Sequence, residues 1–253
     1  GQGVTQDFTK AFEWYLKSAN SGEAYAMNKV GVCYYNGQGV TQDFTKAFEW
    51  WSKSANKGNV AATFNVALCY SNGQGVTQDL TKAYEWYLKA ANNGNIDALR
   101  NVGLCYSKGE GVTQDFNKAF EWFMKSANKG NVDGMYYVGC CYNTGEGVVQ
   151  NLTKAFEWYL KSADKGNADA MYYVGVCYHN GKGVVQNLKT AFEWYLKAAN
   201  NGNTDAMHNV AACYSKGQGV AKDKTKACEW YLKAVNNRGD DAMLVATMTM
   251  MKN

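Results

Sequence analysis

The residues of this chain that could do covalent or metal chemistry are few: eight cysteines and two histidines in 253 residues. Six of the cysteines (Cys33, Cys69, Cys105, Cys141, Cys177 and Cys213) recur at a constant step of 36 residues. There is no Cys-x-x-Cys, and Cys140 and Cys141 are adjacent, so on a helix their side chains diverge. His179 and His208 stand at different points of the 36-residue period, with no nucleophile motif beside either; general acid–base or triad chemistry therefore has no constellation to work with. Gly-x-Gly-Val occurs seven times, from Gly1, Gly37, Gly73, Gly109, Gly145, Gly181 and Gly217. It lacks the Gly-Lys-Ser/Thr of a phosphate loop and follows a helical pattern rather than a strand, so it reads as a helix stop. The expectation is a protein that is not an enzyme and has no metal or cofactor.

The elements that position these residues are set by the same period. Numbering each 36-residue repeat internally from its first glycine, slot 14 is Trp14, Trp50, Trp86 and so on. The spacing predicts a first helix over slots 8–20, N-capped at slot 7 by Asp7, Asp43, Asp79, Asp115, Asn151, Asn187 or Asp223, with Gly at slot 22 closing it in six repeats. Apolar slots 8, 11, 12, 15 and 19 form its stripe, widened by Trp and Leu. A second helix is predicted over slots 24–35, after Asn or Glu at slot 23, with Val at slot 30, Cys at 33 and Tyr at 34. Helix pairs of this length bury their apolar faces only by stacking. The predicted fold is an all-α, α/α solenoid of seven helix-turn-helix repeats and fourteen helices, a single domain over 1–253. Equivalent cysteines of neighbouring helix pairs then lie roughly 10 Å apart by helix packing, beyond the ~7 Å reach of a disulfide. They read as free, buried small hydrophobes, which favours a reducing, cytoplasmic compartment.

At 46% hydrophobic and 19% charged residues the chain can bury a core. A net charge of +4 does not argue for nucleic acid. No apolar run reaches the ~18–20 residues of a membrane span. With no proline at all, glycine does the punctuation. The absent initiator Met reads as a processed chain or a piece of a longer one.

The run Ala170-Met171-x-x-Val174-Gly175-x-x-Tyr178, then Gly181-x-Gly183-Val184, then Ala191-x-x-Trp194-Tyr195-x-Lys197-Ala198-Ala199-x-x-Gly202 resembles the Sel1-like repeat, a longer relative of the tetratricopeptide repeat. The resemblance runs through essentially the whole chain, in a permuted frame. Ala67 and Ala211 stand where that family favours Gly, and Asn151 and Asn187 where it favours Asp. The resemblance implies a protein-interaction scaffold or adaptor that binds a protein or peptide in a concave groove lined by the second helices. Secreted cysteine-rich relatives imply an alternative, a hydrolase of β-lactam-binding type, but they carry paired cysteines that this chain lacks. A third reading is an architectural or regulatory arm of a larger protein.

Comparing the seven copies separates frame from candidate site. Glu at slot 13, Trp at slot 14 and Lys at slot 17 never change. They read as packing, with Trp buried and Glu–Lys pairs at i and i+4 on the solvated edge. The second helix varies instead. Slot 28 holds Phe64, Arg100, Tyr136, Tyr172 and His208; slot 29 holds Asn65, Asn101, Tyr137, Tyr173 and Asn209; slot 35 holds Tyr35 and His179. These, with the slot-25 row Asp97, Asp133, Asp169, Asp205 and Asp241, are the partner-binding candidates. The Tyr cluster and Asp edge suit a basic or aromatic-anchored peptide. Two plainer readings compete: inter-repeat packing for the tyrosines, and first-turn helix charge for the aspartates. RNA is not expected, because the lysines concentrate on the first helices. The Met-rich last stretch, Met248 to Met251, suggests self-association through a terminal helix.

Overall fold

The computed structural model describes residues 7–238. Among them are thirteen helices and no strand. The expected fourteenth helix, with Asp241 and the Met-rich terminus, lies outside the described residues.

The chain divides into two compact units, Gly1–Ser126 and Ala127–Asn253. Unit one contains α1 (Phe8–Asn20), α2 (Ala24–Asn36), α3 (Phe44–Asn56), α4 (Val60–Asn72), α5 (Leu80–Asn92), α6 (Ile96–Lys108) and all but the end of α7 (Phe116–Asn128). Unit two contains α8 (Val132–Thr144), α9 (Leu152–Ala163), α10 (Ala168–Asn180), α11 (Leu188–Asn200), α12 (Thr204–Lys216) and α13 (Lys224–Arg238). In each unit, odd-numbered helices are the first helices of the repeats and even-numbered helices the second.

Local chemistry sets the boundaries. Asp43 Oδ1 accepts from Lys46 N at 2.9 Å and Asn151 Oδ1 accepts from Lys154 N at 2.9 Å, capping α3 and α9. Second helices use asparagine the same way, as with Asn167 Oδ1 and Ala170 N at 2.7 Å. Gly181 ends α10 in the left-handed conformation, its N–H donating to Cys177 O. The glutamine that follows in six of the seven repeats then reaches back: Gln186 Nε2 donates to His179 O at 2.7 Å. Asn187 N donates to Tyr178 O at 2.9 Å, so the loop is tied to the helix it leaves.

Packing between repeats is built from a ring and a gap. The slot-15 aromatic of each first helix is buried: Trp51 is 4% exposed, Phe123 2% and Tyr159 1%. Each lies on the slot-31 residue of the preceding second helix. A Cβ added to Gly139 would stand 2.6 Å from Tyr159 Cδ1, and one on Gly103 equally close to Phe123. The neighbouring slot 14, expected in the core, is half-buried instead. Trp50, Trp86, Trp194 and Trp230 pack along the edge of the preceding repeat's core. Trp14, with no described repeat before it, is 69% exposed. The expected Glu–Lys pairing gives way for the same reason. The slot-17 lysine roofs the outer face of the Trp, with Lys53 Nζ 4.6 Å from the Trp50 centroid and Lys125 Nζ 4.1 Å from that of Trp122.

A second ladder ties the slots together. Slot-12 rings meet slot-34 tyrosines edge-to-face, as Phe156 and Tyr178 do at 5.4 Å and 87°. The slot-10 lysine of the next repeat then covers that tyrosine, with Lys46 Nζ 5.5 Å from the Tyr34 centroid, while pairing with its own cap Asp43 at 3.3 Å.

Two predictions follow from this geometry. Gly183 has φ +72° and its missing Cβ would overlap the Leu152 carbonyl. Gly166 has φ +98° with open space around it. Gly166→Ala should cost about 1 kcal/mol from backbone strain alone, and Gly183→Ala about 3 kcal/mol or more, read as urea midpoints. The caps Asp43, Asp79 and Asp115 are held below the ordinary value of 3.8, chiefly by the backbone N–H each accepts. Their stabilisation is therefore complete above about 3.8 and lost as pH falls through the lowered folded value. Acidification should raise amide exchange at the starts of α3, α5 and α7 before α9 and α11, whose Asn caps do not titrate.

Candidate functional site

The variable slots of the second helices come to lie along one partly exposed face in each unit. Valine at slot 30 is fully buried in six repeats (Val30, Val66, Val102, Val138, Val174 and Val210), which turns slots 28, 29, 32 and 35 outward at helical spacing. The site residues therefore fall into two sets, one per unit.

In unit one, Tyr35 rests against Phe44 and Trp51, at 5.2 and 5.4 Å, and its hydroxyl donates to Gln74 Oε1 at 3.2 Å. Phe64 lies 5.8 Å from Tyr87. Asn65 Nδ2 donates to Asn28 Oδ1 at 3.4 Å, one repeat back. Asn101, 8% exposed, lines a cleft floored by Tyr87 and Cys105. Arg100 is half-buried and Asp97 sits exposed in the first turn of α6.

In unit two the four tyrosines form one cluster. Tyr173 stacks on the buried Tyr159 at 5.1 Å and 18°, and Tyr136 touches Tyr137, Tyr159 and Tyr173 at 5.2, 6.0 and 5.8 Å. Tyr172 reaches Tyr173 at 5.2 Å and Tyr195 at 5.9 Å. Burial pushes the phenols of Tyr136, Tyr159, Tyr172 and Tyr173 above their ordinary value. His179 and His208 lean on the slot-15 rings Tyr195 and Tyr231, at 6.2 and 6.1 Å. So the tyrosines both pack the junctions and present an edge to solvent.

The acidic row is more than first-turn charge. Asn167 Nδ2 donates to Asp133 Oδ1 at 3.0 Å, and Asn203 Nδ2 to Asp169 Oδ1 at 2.7 Å. Each asparagine thus caps its own helix through Oδ1 and clamps the preceding aspartate through Nδ2. Asp205 occupies the same slot, exposed, on α12.

All eight cysteines are free thiols. Burial raises Cys69, Cys105 and Cys177 to about 11 and Cys141 to about 12, so they stay protonated at neutral pH. Among the described residues no group of His, Cys, Asp and Glu could hold a metal, and no helix is long and apolar enough to cross a membrane.

Leu68 and Leu104 line clefts from slot 32 of the variable stripe, and four further lining residues escaped the slot comparison: Asn72 and Lys108 at slot 36, and Gln74 and Glu110 at slot 2. Their signal was available, because slots 36 and 2 change between repeats while the adjacent glycine does not. The cluster geometry also has a consequence for stability. Tyr136→Ala with Tyr172→Ala should destabilise the fold by about 2 kcal/mol per site given half-burial, against ~3–5 for a fully buried aromatic; calorimetry reads this as a lower melting temperature.

Comparison with known proteins agrees with this architecture. The Sel1 repeat matches residues 1–23, 24–59, 60–95, 96–131, 132–167, 168–203 and 204–237. A Sel1 repeat protein from Oxalobacter formigenes is 32% identical, with 90% of this chain and 94% of that one covered and a TM-score of 0.86. The protective antigen c5321 of uropathogenic Escherichia coli, which displays the same fold, is 34% identical with a TM-score of 0.82. The match covers 89% of this chain but 48% of c5321, so this chain spans about half that relative's length. Yeast Tom70, at 13% identity and a TM-score of 0.54, shares the fold alone. No curated protein matches. The ring-on-glycine junction, the glycine-stopped helix pairs and the seven matched copies place this chain in the Sel1 repeat family.

Proposed function

We propose that the chain is a non-enzymatic scaffold whose seven repeats act as one domain to hold a protein or peptide segment against the second-helix face. The observation that carries this reading is a division of labour. The constant phrase of the first helices is consumed by packing, from the buried slot-15 rings to the lysine-roofed tryptophans. What differs from repeat to repeat sits half-exposed on the second helices, as Phe64, Tyr137, Tyr172 and His208 do. Large, rigid, amphipathic side chains such as tyrosine give contact area at little entropic cost. Thiols kept protonated by burial, and histidines set against aromatic rings, support a binding role over a hydrolytic one.

On unit two, Asp133, Asp169 and Asp205 flank the Tyr cluster, which favours a partner segment with an aromatic or apolar anchor and a basic neighbour. Photo-crosslinking tests the assignment. With a benzophenone amino acid at Tyr137 on the second-helix face, or at Glu157 on the outer edge of α9, partner adducts should form from position 137. Adducts from position 157 alone would place the binding face elsewhere.

A further inference from the structure

Unit one contains the same cleft twice. Between α2 and α4 a cleft of about 220 Å³ has Val32 and Leu68 as walls, Trp51 and Cys69 as floor, and Asn65 and Gln74 at its rim. One repeat on, a cleft of about 170 Å³ between α4 and α6 has Leu104, Tyr87, Cys105, Asn101 and Glu110 at the equivalent positions. Ser71 lines the same cleft beside Tyr87. Between α8 and α10 of unit two the corresponding place is taken by Tyr173, stacked on Tyr159.

We infer that these two clefts are paired sockets for a single extended peptide, each receiving one uncharged apolar side chain. The inference rests on the second-helix reading above and narrows it to a ligand pattern on unit one. Size sets the class of occupant. Small-molecule sites enclose roughly 300–1,000 Å³, whereas each cleft has room for one side chain.

Charge sets the chemistry. α4 carries no charged residue, and α2 carries only Lys29, whose ammonium lies 5.1 Å from the Tyr25 centroid. No charged side chain lines the first cleft, and Lys108 and Glu110 at the second neutralise one another at 3.6 Å. A charged anchor would be desolvated in the first cleft without a counter-ion.

The rims suit a main chain. Asn65 and Asn101 each offer a carboxamide, with donor and acceptor matched to a peptide bond. Repetition sets the spacing: helices in contact lie about 8–10 Å apart, and an extended or polyproline-like segment rises about 3.1–3.3 Å per residue. Anchors three residues apart therefore span the two sockets, and a three-residue turn puts both on one side.

The test is a fluorescence-anisotropy titration of the whole chain. The probes are labelled peptides of Ser, Gln and Gly carrying two leucines separated by one, two, three or four residues. The peptide with two intervening residues should bind tightest, with little change between low and high salt. Leu68→Glu and Leu104→Glu should each weaken it about tenfold, and Val176→Glu, the same slot on unit two, should leave it unchanged. The spacing and salt series use the wild type and so stand whether or not a variant folds; circular dichroism melts check each variant, and Leu68→Asn replaces any Glu variant that fails to fold.

No binding by any peptide, indifference to leucine spacing, or strong salt dependence overturns the paired sockets. So does loss of binding in Val176→Glu with retention in the two unit-one variants, but that pattern leaves the second-helix face standing. If the partner crosslinks from position 157 alone, the second-helix reading falls as well.

Discussion

A single contact sets the pitch of each stack: an aromatic ring at slot 15 lying on a residue without a side chain, or nearly without one, at slot 31 of the preceding helix. Gly139 under Tyr159 and Gly175 under Tyr195 are the clearest cases. The ring brings a large apolar area and the gap lets the helices approach closely enough to exclude water. Everything else in a junction is subordinate to that approach. The slot-12 and slot-34 rings meet edge-to-face because the helices are already placed, and the lysine covering Tyr34 or Tyr70 reaches it because the next first helix starts there. Ala67 under Tyr87 shows the tolerance: one methyl is absorbed, and the ring remains 5% exposed.

Charged residues in this architecture act largely as covers for aromatic surface. The slot-10 lysines lie over Tyr faces and pair with cap aspartates, as Lys82 does with Tyr70 and Asp79, and the slot-17 lysines lie over Trp faces. A cation above a half-exposed ring loses little hydration and hides apolar area that would otherwise meet water. The composition therefore looks more aromatic than the exposed surface is.

Much of this was legible before any coordinates. The 36-residue step, the caps and the glycine stops predicted α1–α12 to within a residue; the second helices run one residue longer, to slot 36, as at Asn36 and Asn180, and α13, with no glycine at slot 22, runs two residues further, to Arg238. Sel1 membership followed from Val174, Gly175, Trp194 and their neighbours. What stayed hidden was which of two adjacent aromatics goes inward. Trp50 and Trp51 differ by one step of about 100° on a helix, and that step decides between a roofed edge and a core. Periodicity marks a stripe, but its centre depends on where the preceding helix lies, which no single repeat encodes. The same limit applied to Asp133 and Asp169, whose clamps come from asparagines one repeat later and already legible as caps. The slot comparison found the face but not the clefts, because a cavity is a property of two helices together.

The junction also bears on how such a chain can change. Each first helix presents a ring and each second helix a gap, at an unvarying step, so any second helix is a valid neighbour for any first helix. Removing or duplicating one full period would leave a junction of the same kind at the seam, while changing which variable side chains stand next to each other. A new ligand surface could therefore arise by recombination between near-identical segments, with no intermediate that must fold around a misfit.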